Sequence, residues 1–152
     1  MVSVYSNGYL ECYGTKYDLV NGFWRMWWSY GGLTESKIIV TSNGVTYSSF
    51  FDDITGNGNG VGFTITHDKE FTSLTGNQDF TFGMGDEPYH IYMAKVHLNY
   101  DFWLNRGISY NIANGILIFS DSSSVYTLDF NGQDEEGKTV TFYYLGLLKD
   151  IN

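Results

Sequence analysis

Seventeen carboxylates, three histidines and one cysteine are the groups in this 152-residue chain that could move protons, attack a substrate or hold a metal. Glycoside hydrolysis needs two carboxyl groups facing each other across a sugar, roughly 5–10 Å apart. Glu11, Asp52, Asp53, Asp86, Glu87 and Asp101 are the candidates, and no motif singles out a pair among them. Nucleophilic catalysis finds no Gly-x-Ser-x-Gly elbow, and Cys12 stands in a strand-like run without a neighbouring base, as a small buried hydrophobe. His90 and His97 lie an odd number of positions apart on one expected strand, so they face opposite sides and form no local metal pair. His67 opens the stretch His67-Asp68-Lys69-Glu70, expected as a solvated hairpin tip. Asp129 to Glu136, and Asp52-Asp53, gather oxygen ligands of the kind calcium takes. The EF-hand spacing fails, because Val140 stands where the closing Glu would be and no helix flanks the loop. The chain therefore predicts a non-enzymatic protein with no metal site and no cofactor, calcium being the one cation with a candidate loop.

These groups must be positioned by strands. Asn-Gly recurs seven times, at Asn7, Asn21, Asn43, Asn57, Asn59, Asn114 and Asn131. A two-residue type I′ hairpin turn needs positive φ at both central positions, which Asn and Gly tolerate best. Ser6-Asn7-Gly8 between Val2–Tyr5 and Tyr9–Tyr13, and Ser42-Asn43-Gly44 between Lys37–Thr41 and Val45–Phe51, read as hairpin turns. Gly56 to Gly60 reads as the most flexible loop, and Asn131-Gly132 as the start of an acidic one. Large residues at Trp24, Met26, Trp28 and Tyr30 predict a strand with one buried face, and Val61, Phe63 and Ile65 alternate with Gly62, Thr64 and Thr66. Further strands are expected at Phe71–Leu74, Phe80–Phe82, Ile108–Ile112, Ile116–Ser120, Val125–Phe130 and Thr139–Leu145, ten to twelve in all. Tyr89–Leu98 is long enough for a helix, but its Tyr, Ile and Val content favours a strand. No internal repeat or linker divides the chain. The expected architecture is all-β, a single antiparallel β-sandwich or jelly-roll-like domain over residues 1–152.

Composition narrows the partners. A net charge of −9, with eight scattered basic residues, argues against nucleic acid. No apolar run approaches the length of a membrane span, so no membrane insertion is expected. With a single cysteine there is no disulfide framework within the chain. Aromatic residues make up 18% of the chain, with 13 Tyr, 11 Phe and 4 Trp, more than one small core needs. The surplus suits an interface or a sugar-stacking surface. Few Lys, Arg or Pro residues are present to blunt sheet edges, so edge burial in a homo-oligomer is expected. Recognition is expected on loops, with Asp52, Asp53, Asn57 and Asn59 in one, Asp86 and Glu87 in another, and exposed Trp27, Trp103 or Tyr89 stacking on sugar rings.

The opening Ser6-Asn7-Gly8-Tyr9-Leu10-Glu11-Cys12-Tyr13-Gly14 resembles the Gly-Tyr-apolar-x-x-aromatic-Gly segment that begins the terminal knob of many bacteriophage tail fibres. The closing Thr141-Phe142-Tyr143-Tyr144-Leu145-Gly146 is similar to the aromatic last strand of those domains. Tyr13 stands where that family usually has Trp, and the Phe-Pro element after its first strand is missing. The resemblance implies a small β-sandwich in the virion, assembled in the host cytoplasm and usually trimeric. It also implies contact with other virion proteins and with a host surface glycan or protein, as a tail-fibre or tail-associated receptor-binding module. A head-decoration, collar or baseplate component, or a free-standing carbohydrate-binding module or lectin, fits the same composition.

Overall fold

The computed structural model describes residues 7–68, 76–83 and 88–152. Among them are thirteen strands and no helix, so the expected all-β class holds. The strands are β1 (Asn7–Cys12), β2 (Thr15–Leu19), β3 (Asn21–Tyr30), β4 (Leu33–Thr41), β5 (Thr46–Ser48), β6 (Asp53–Thr55) and β7 (Asn57–His67). They continue with β8 (Gly76–Phe82), β9 (His90–Asp101), β10 (Arg106–Ser122), β11 (Val125–Asp134), β12 (Thr139–Gly146) and β13 (Lys149–Asp150). The expected strands at Val2–Tyr5 and Phe71–Leu74 lie outside the described residues.

Eleven strands form one curled sheet in the order β13-β3-β4-β7-β9-β8-β10-β11-β12-β1-β2, and β5 and β6 form a second, two-stranded sheet. Pairing is antiparallel except for two short parallel contacts, β8 with β9 and β13 with β3. The curl is produced at β10. Its first half pairs with β9, from Arg106 opposite Asp101 to Asn111 opposite Lys95, and its second half pairs with β8 and β11. A bulge between Ile112 and Asn114 separates the halves, and Gly115 beside it has φ of 141°, a conformation that L side chains rarely adopt. A strand that bends at a bulge and passes from one layer to the next is a standard way to turn a sandwich corner. The two strands expected at Ile108–Ile112 and Ile116–Ser120 are therefore one.

The curl folds β7 over β11 and β12. Phe63 is fully buried, with its ring 5.1 Å from Phe130 and 5.6 Å from Phe142. Around it Leu10, Ile38, Val61, Ile65, Val96, Leu117, Leu128 and Tyr144 close the core. The predicted alternation of β7 holds, with Val61, Phe63 and Ile65 turned to this core. The reading of β3 holds only in part. Trp24 packs on the core, but a bulge between Met26 and Trp28 breaks the alternation, and Met26, Trp28 and Tyr30 are exposed.

The Asn-Gly pairs do not mark the hairpins. Only Asn43-Gly44 is a turn, and it carries the chain from the large sheet to the small one instead of closing a hairpin. The other six pairs lie inside strands. The two-residue turns with positive φ at both positions are Tyr13-Gly14, Gly31-Gly32 and Ser123-Ser124. Gly56 to Gly60, expected as a loop, enters β7. Its glycines serve close backbone approach: a Cβ on Gly56 would stand 2.1 Å from the carbonyl oxygen of Gly44. The stretch Asp129 to Glu136 is likewise mostly β11, closed by a short turn.

Candidate functional site

The outer face of β3, β4, β7 and β9 carries a cleft of about 450 Å³. Because side chains alternate along a strand, the residues between the core positions Ile38, Val61, Phe63 and Val96 all point outward. Strand register arranges them in cross-strand rows. One row runs Arg25, Lys37, Thr64, Met93, and the next runs Phe23, Ile39, Gly62, Lys95. Gly62 brings no side chain to the middle of this floor, which leaves the cleft open. The small sheet and the C-terminal segment form its roof and one wall through Asp53, Ile54 and Ile151, with Tyr100, Phe102 and Asn105 at one end. Phe23, Val45, Ile54, Phe102 and Ile151 make a second apolar cluster that fixes this roof to the sheet.

Arg25 acts as the staple. Its guanidinium donates to the carbonyl oxygen of Ile151 at 3.2 and 2.9 Å and to that of Asp52 at 2.8 Å, and lies 3.8 Å from the Asp53 carboxylate. Lys37 and Lys95 are half-buried in the same cleft and form no ion pair or hydrogen bond among the described residues. Burial pushes the Lys37 ammonium below its usual range; Asp53 pulls it back up, and Lys95 and Arg25 add to the lowering. His97 packs against Tyr100, with ring centroids 4.3 Å apart, and its Nδ1 lies 2.8 Å from the Ser109 hydroxyl. Burial, with help from the charges of Lys37 and Lys95, lowers its pKa to about 4, so the ring is neutral at pH 7. Trp27 is 55% exposed on the cleft lining and supplies a free aromatic surface.

The residues expected in recognition loops are dispersed. Asp53 reaches the cleft, where Arg25 holds it. Asp52 has positive φ, and its carboxylate accepts the Tyr47 hydroxyl. Asn57 is exposed at the start of β7, opposite Asp101. The Asn59 side chain accepts the backbone N–H of Asn99 at 3.0 Å, a structural clasp. Trp103 is 40% exposed with one face against Phe51, ring centroids 4.4 Å apart, in a turn whose N–H groups Asp101 caps. Tyr89 lies at the far end of β7, its hydroxyl donating to Asp68 at 2.6 Å. Asp86 and Glu87 lie outside the described residues.

Sequence reasoning missed Arg25, Lys37, Gly62, Lys95 and His97 as one site. The available signal was a basic or absent side chain on the non-core face of strands whose other face is continuously apolar. His67, expected at a solvated tip, is fully buried, with Nε2 2.9 Å from the Ser36 hydroxyl, because β7 continues through it and pairs it with Thr34 of β4.

Among the described residues the cleft contains one carboxylate, so it does not assemble the facing pair that glycoside hydrolysis uses. Glu11 lines a separate shallow hollow with Lys16 and Thr141. Cys12 is buried, and burial together with the nearby Asp134 charge raises its pKa to about 11, which keeps it a thiol. In the acidic stretch, Asp134 accepts the N–H groups of Glu136 and Lys138, both at 2.9 Å, and the Tyr13 hydroxyl at 2.8 Å. No group of His, Cys, Asp and Glu among the described residues converges as metal ligands would.

Fold and site together define a β-sandwich-like domain with an aromatic and basic cleft on one outer face. No protein-family model matches the chain, and no curated protein or solved structure is significantly similar to it.

Proposed function

We propose that this chain is a non-enzymatic recognition domain that binds a host surface glycan in the cleft between β3, β4, β7 and β9, as a tail-fibre or tail-associated module of a bacteriophage virion. The observation that carries the binding reading is the cleft itself. It is concave, walled by Tyr100 and Phe102, bordered by the exposed Trp27 ring and supplied with polar groups from Lys37, Thr64, Lys95 and Asn105. A concave site that joins aromatic walls to convergent polar groups suits a small ligand, and an exposed indole can lie flat on a sugar ring. The virion placement draws its support from the two end segments, which pair as antiparallel neighbours, Leu10 opposite Phe142 and Glu11 opposite Thr141. Exposed Phe50, Phe51, Trp103 and Leu104 give a homo-oligomer, a trimer foremost, an apolar surface to bury.

A second reading, a free-standing lectin, is favoured by one observation: the strands of one chain supply the floor, roof and wall described for the cleft. Glycan-array binding and light scattering test both. The virion reading expects a multimer that binds glycans and loses about tenfold in affinity in Trp27→Ala, consistent with one lost stacking contact. A monomer with the same binding favours the lectin, and absence of binding to any glycan overturns both.

A further inference from the structure

The distribution of charge makes the cleft chemically specific. Of the eight basic residues in the chain, Arg25, Lys37 and Lys95 line it, against one of the seventeen acidic residues, Asp53. Arg25 is occupied by Ile151, Asp52 and Asp53, whereas Lys37 and Lys95 flank the bare floor at Gly62. The aliphatic stem of Lys37 passes 3.9 Å from where a Cβ of Gly62 would stand. Burial of the Lys37 ammonium and its repulsion by Lys95 and Arg25 cost the fold, and Asp53 offsets only part of that cost. A negative group placed over Gly62 would offset the rest. The volume exceeds what an inorganic ion fills, and Trp27 and Tyr100 offer ring-sized apolar surfaces beside it.

We infer that the cleft takes an anionic saccharide, its negative substituent held over Gly62 by Lys37 and Lys95 and its ring laid against Trp27. This deepens the glycan reading and rests on it for the identity of the site. The shared chemistry is a sugar bearing a carboxylate or a phosphate. A long polyanion is disfavoured by the net charge of −9 on the chain.

Amide chemical shifts of the full chain, followed during titration with glucuronate, glucose 6-phosphate, inorganic phosphate and glucose, test the inference. Saturable shifts at Gly62, Lys95 and His97 are expected with at least one of the two acidic sugars, with glucose and inorganic phosphate each binding at least about tenfold more weakly. Whichever acidic sugar binds identifies the substituent. Lys95→Met should lose about tenfold for the acidic sugar only, and Lys95→Arg should restore it. Gly62→Ala should weaken binding while the sheet is kept, since an added Cβ there meets its neighbours at ordinary contact distance. Equal binding of glucose and glucuronate, with Trp27→Ala losing both, overturns the anionic inference and leaves glycan recognition standing. Inorganic phosphate binding as tightly as glucose 6-phosphate overturns the saccharide. Acidic-sugar binding at the cleft with no response on a glycan array upholds the inference and removes the surface-glycan reading instead.

Discussion

In the unfolded chain His97 titrates near its ordinary value of 6.5, while in the cleft burial, aided by Lys37 and Lys95, holds it at about 4. Between those two values the unfolded state binds a proton that the native state does not, so stability falls as pH falls through this window. His97→Gln, which can keep a hydrogen bond to Ser109, should flatten the stability curve there. Relative to wild type, the loss between pH 7 and 4.5 should shrink by roughly 2 kcal/mol once solvent around the half-exposed ring is allowed for, as measured by urea unfolding at each pH. Asp134 acts in a lower window. Burial alone would raise its carboxyl, but the Lys138 N–H, the Tyr13 hydroxyl and the Glu136 N–H pull it below the usual carboxylate value. Its contribution is present above that value and is lost only as pH falls through the depressed one. None of this was legible in the sequence, because the neighbours of His97 come from four strands.

The strands show where local chemistry wins and where it is overruled. Positive φ at both turn positions is required of a tight hairpin, and three hairpins meet it, yet none uses Asn-Gly. At Gly8, Gly58 and Gly132 the absence of Cβ lets a neighbouring backbone or side chain approach within strands, a demand that local sequence does not separate from a turn. The Ser123-Ser124 turn should therefore be improvable. Both residues have positive φ, 53° and 66°, and Asp121 accepts the Ser124 N–H at 2.9 Å, a bond that Gly retains. Ser123→Asn with Ser124→Gly should raise stability by about 1 kcal/mol, read as an upward shift of the urea midpoint at unchanged m-value. A lower midpoint would show that the serines satisfy a constraint other than φ.

For the molecule as a whole, the curl of the sheet joins distant parts of the chain. Phe63 of β7 meets Phe130 of β11 and Phe142 of β12, so Phe63→Ala removes the packing that holds the two layers together. A loss of about 3–5 kcal/mol is expected, measured by chemical denaturation. The strand order also places Arg25, Lys37 and Lys95 in one cleft of an acidic protein. The edges are also partly managed within the chain. β2 is five residues long and carries Lys16 and Asp18, while β13 covers β3 only at Phe23 and Trp24 and leaves the exposed Met26 to Tyr30 stretch beyond.

By itself the sequence determined the all-β class, the inward alternation of Val61, Phe63 and Ile65, the strand expected at Tyr89–Leu98, which runs from His90 to Asp101, and the absence of an intrachain disulfide. Each follows from residue type and short-range periodicity, which act over a few positions. Only the tertiary structure decided that β10 is one strand bent at a bulge, that His67 is buried, and that Arg25, Lys37 and Lys95 share a face around Gly62. Those outcomes depend on which strands become neighbours. The order β3-β4-β7-β9 is selected by the burial of a common core, and the cleft is the opposite face of the strands that build it.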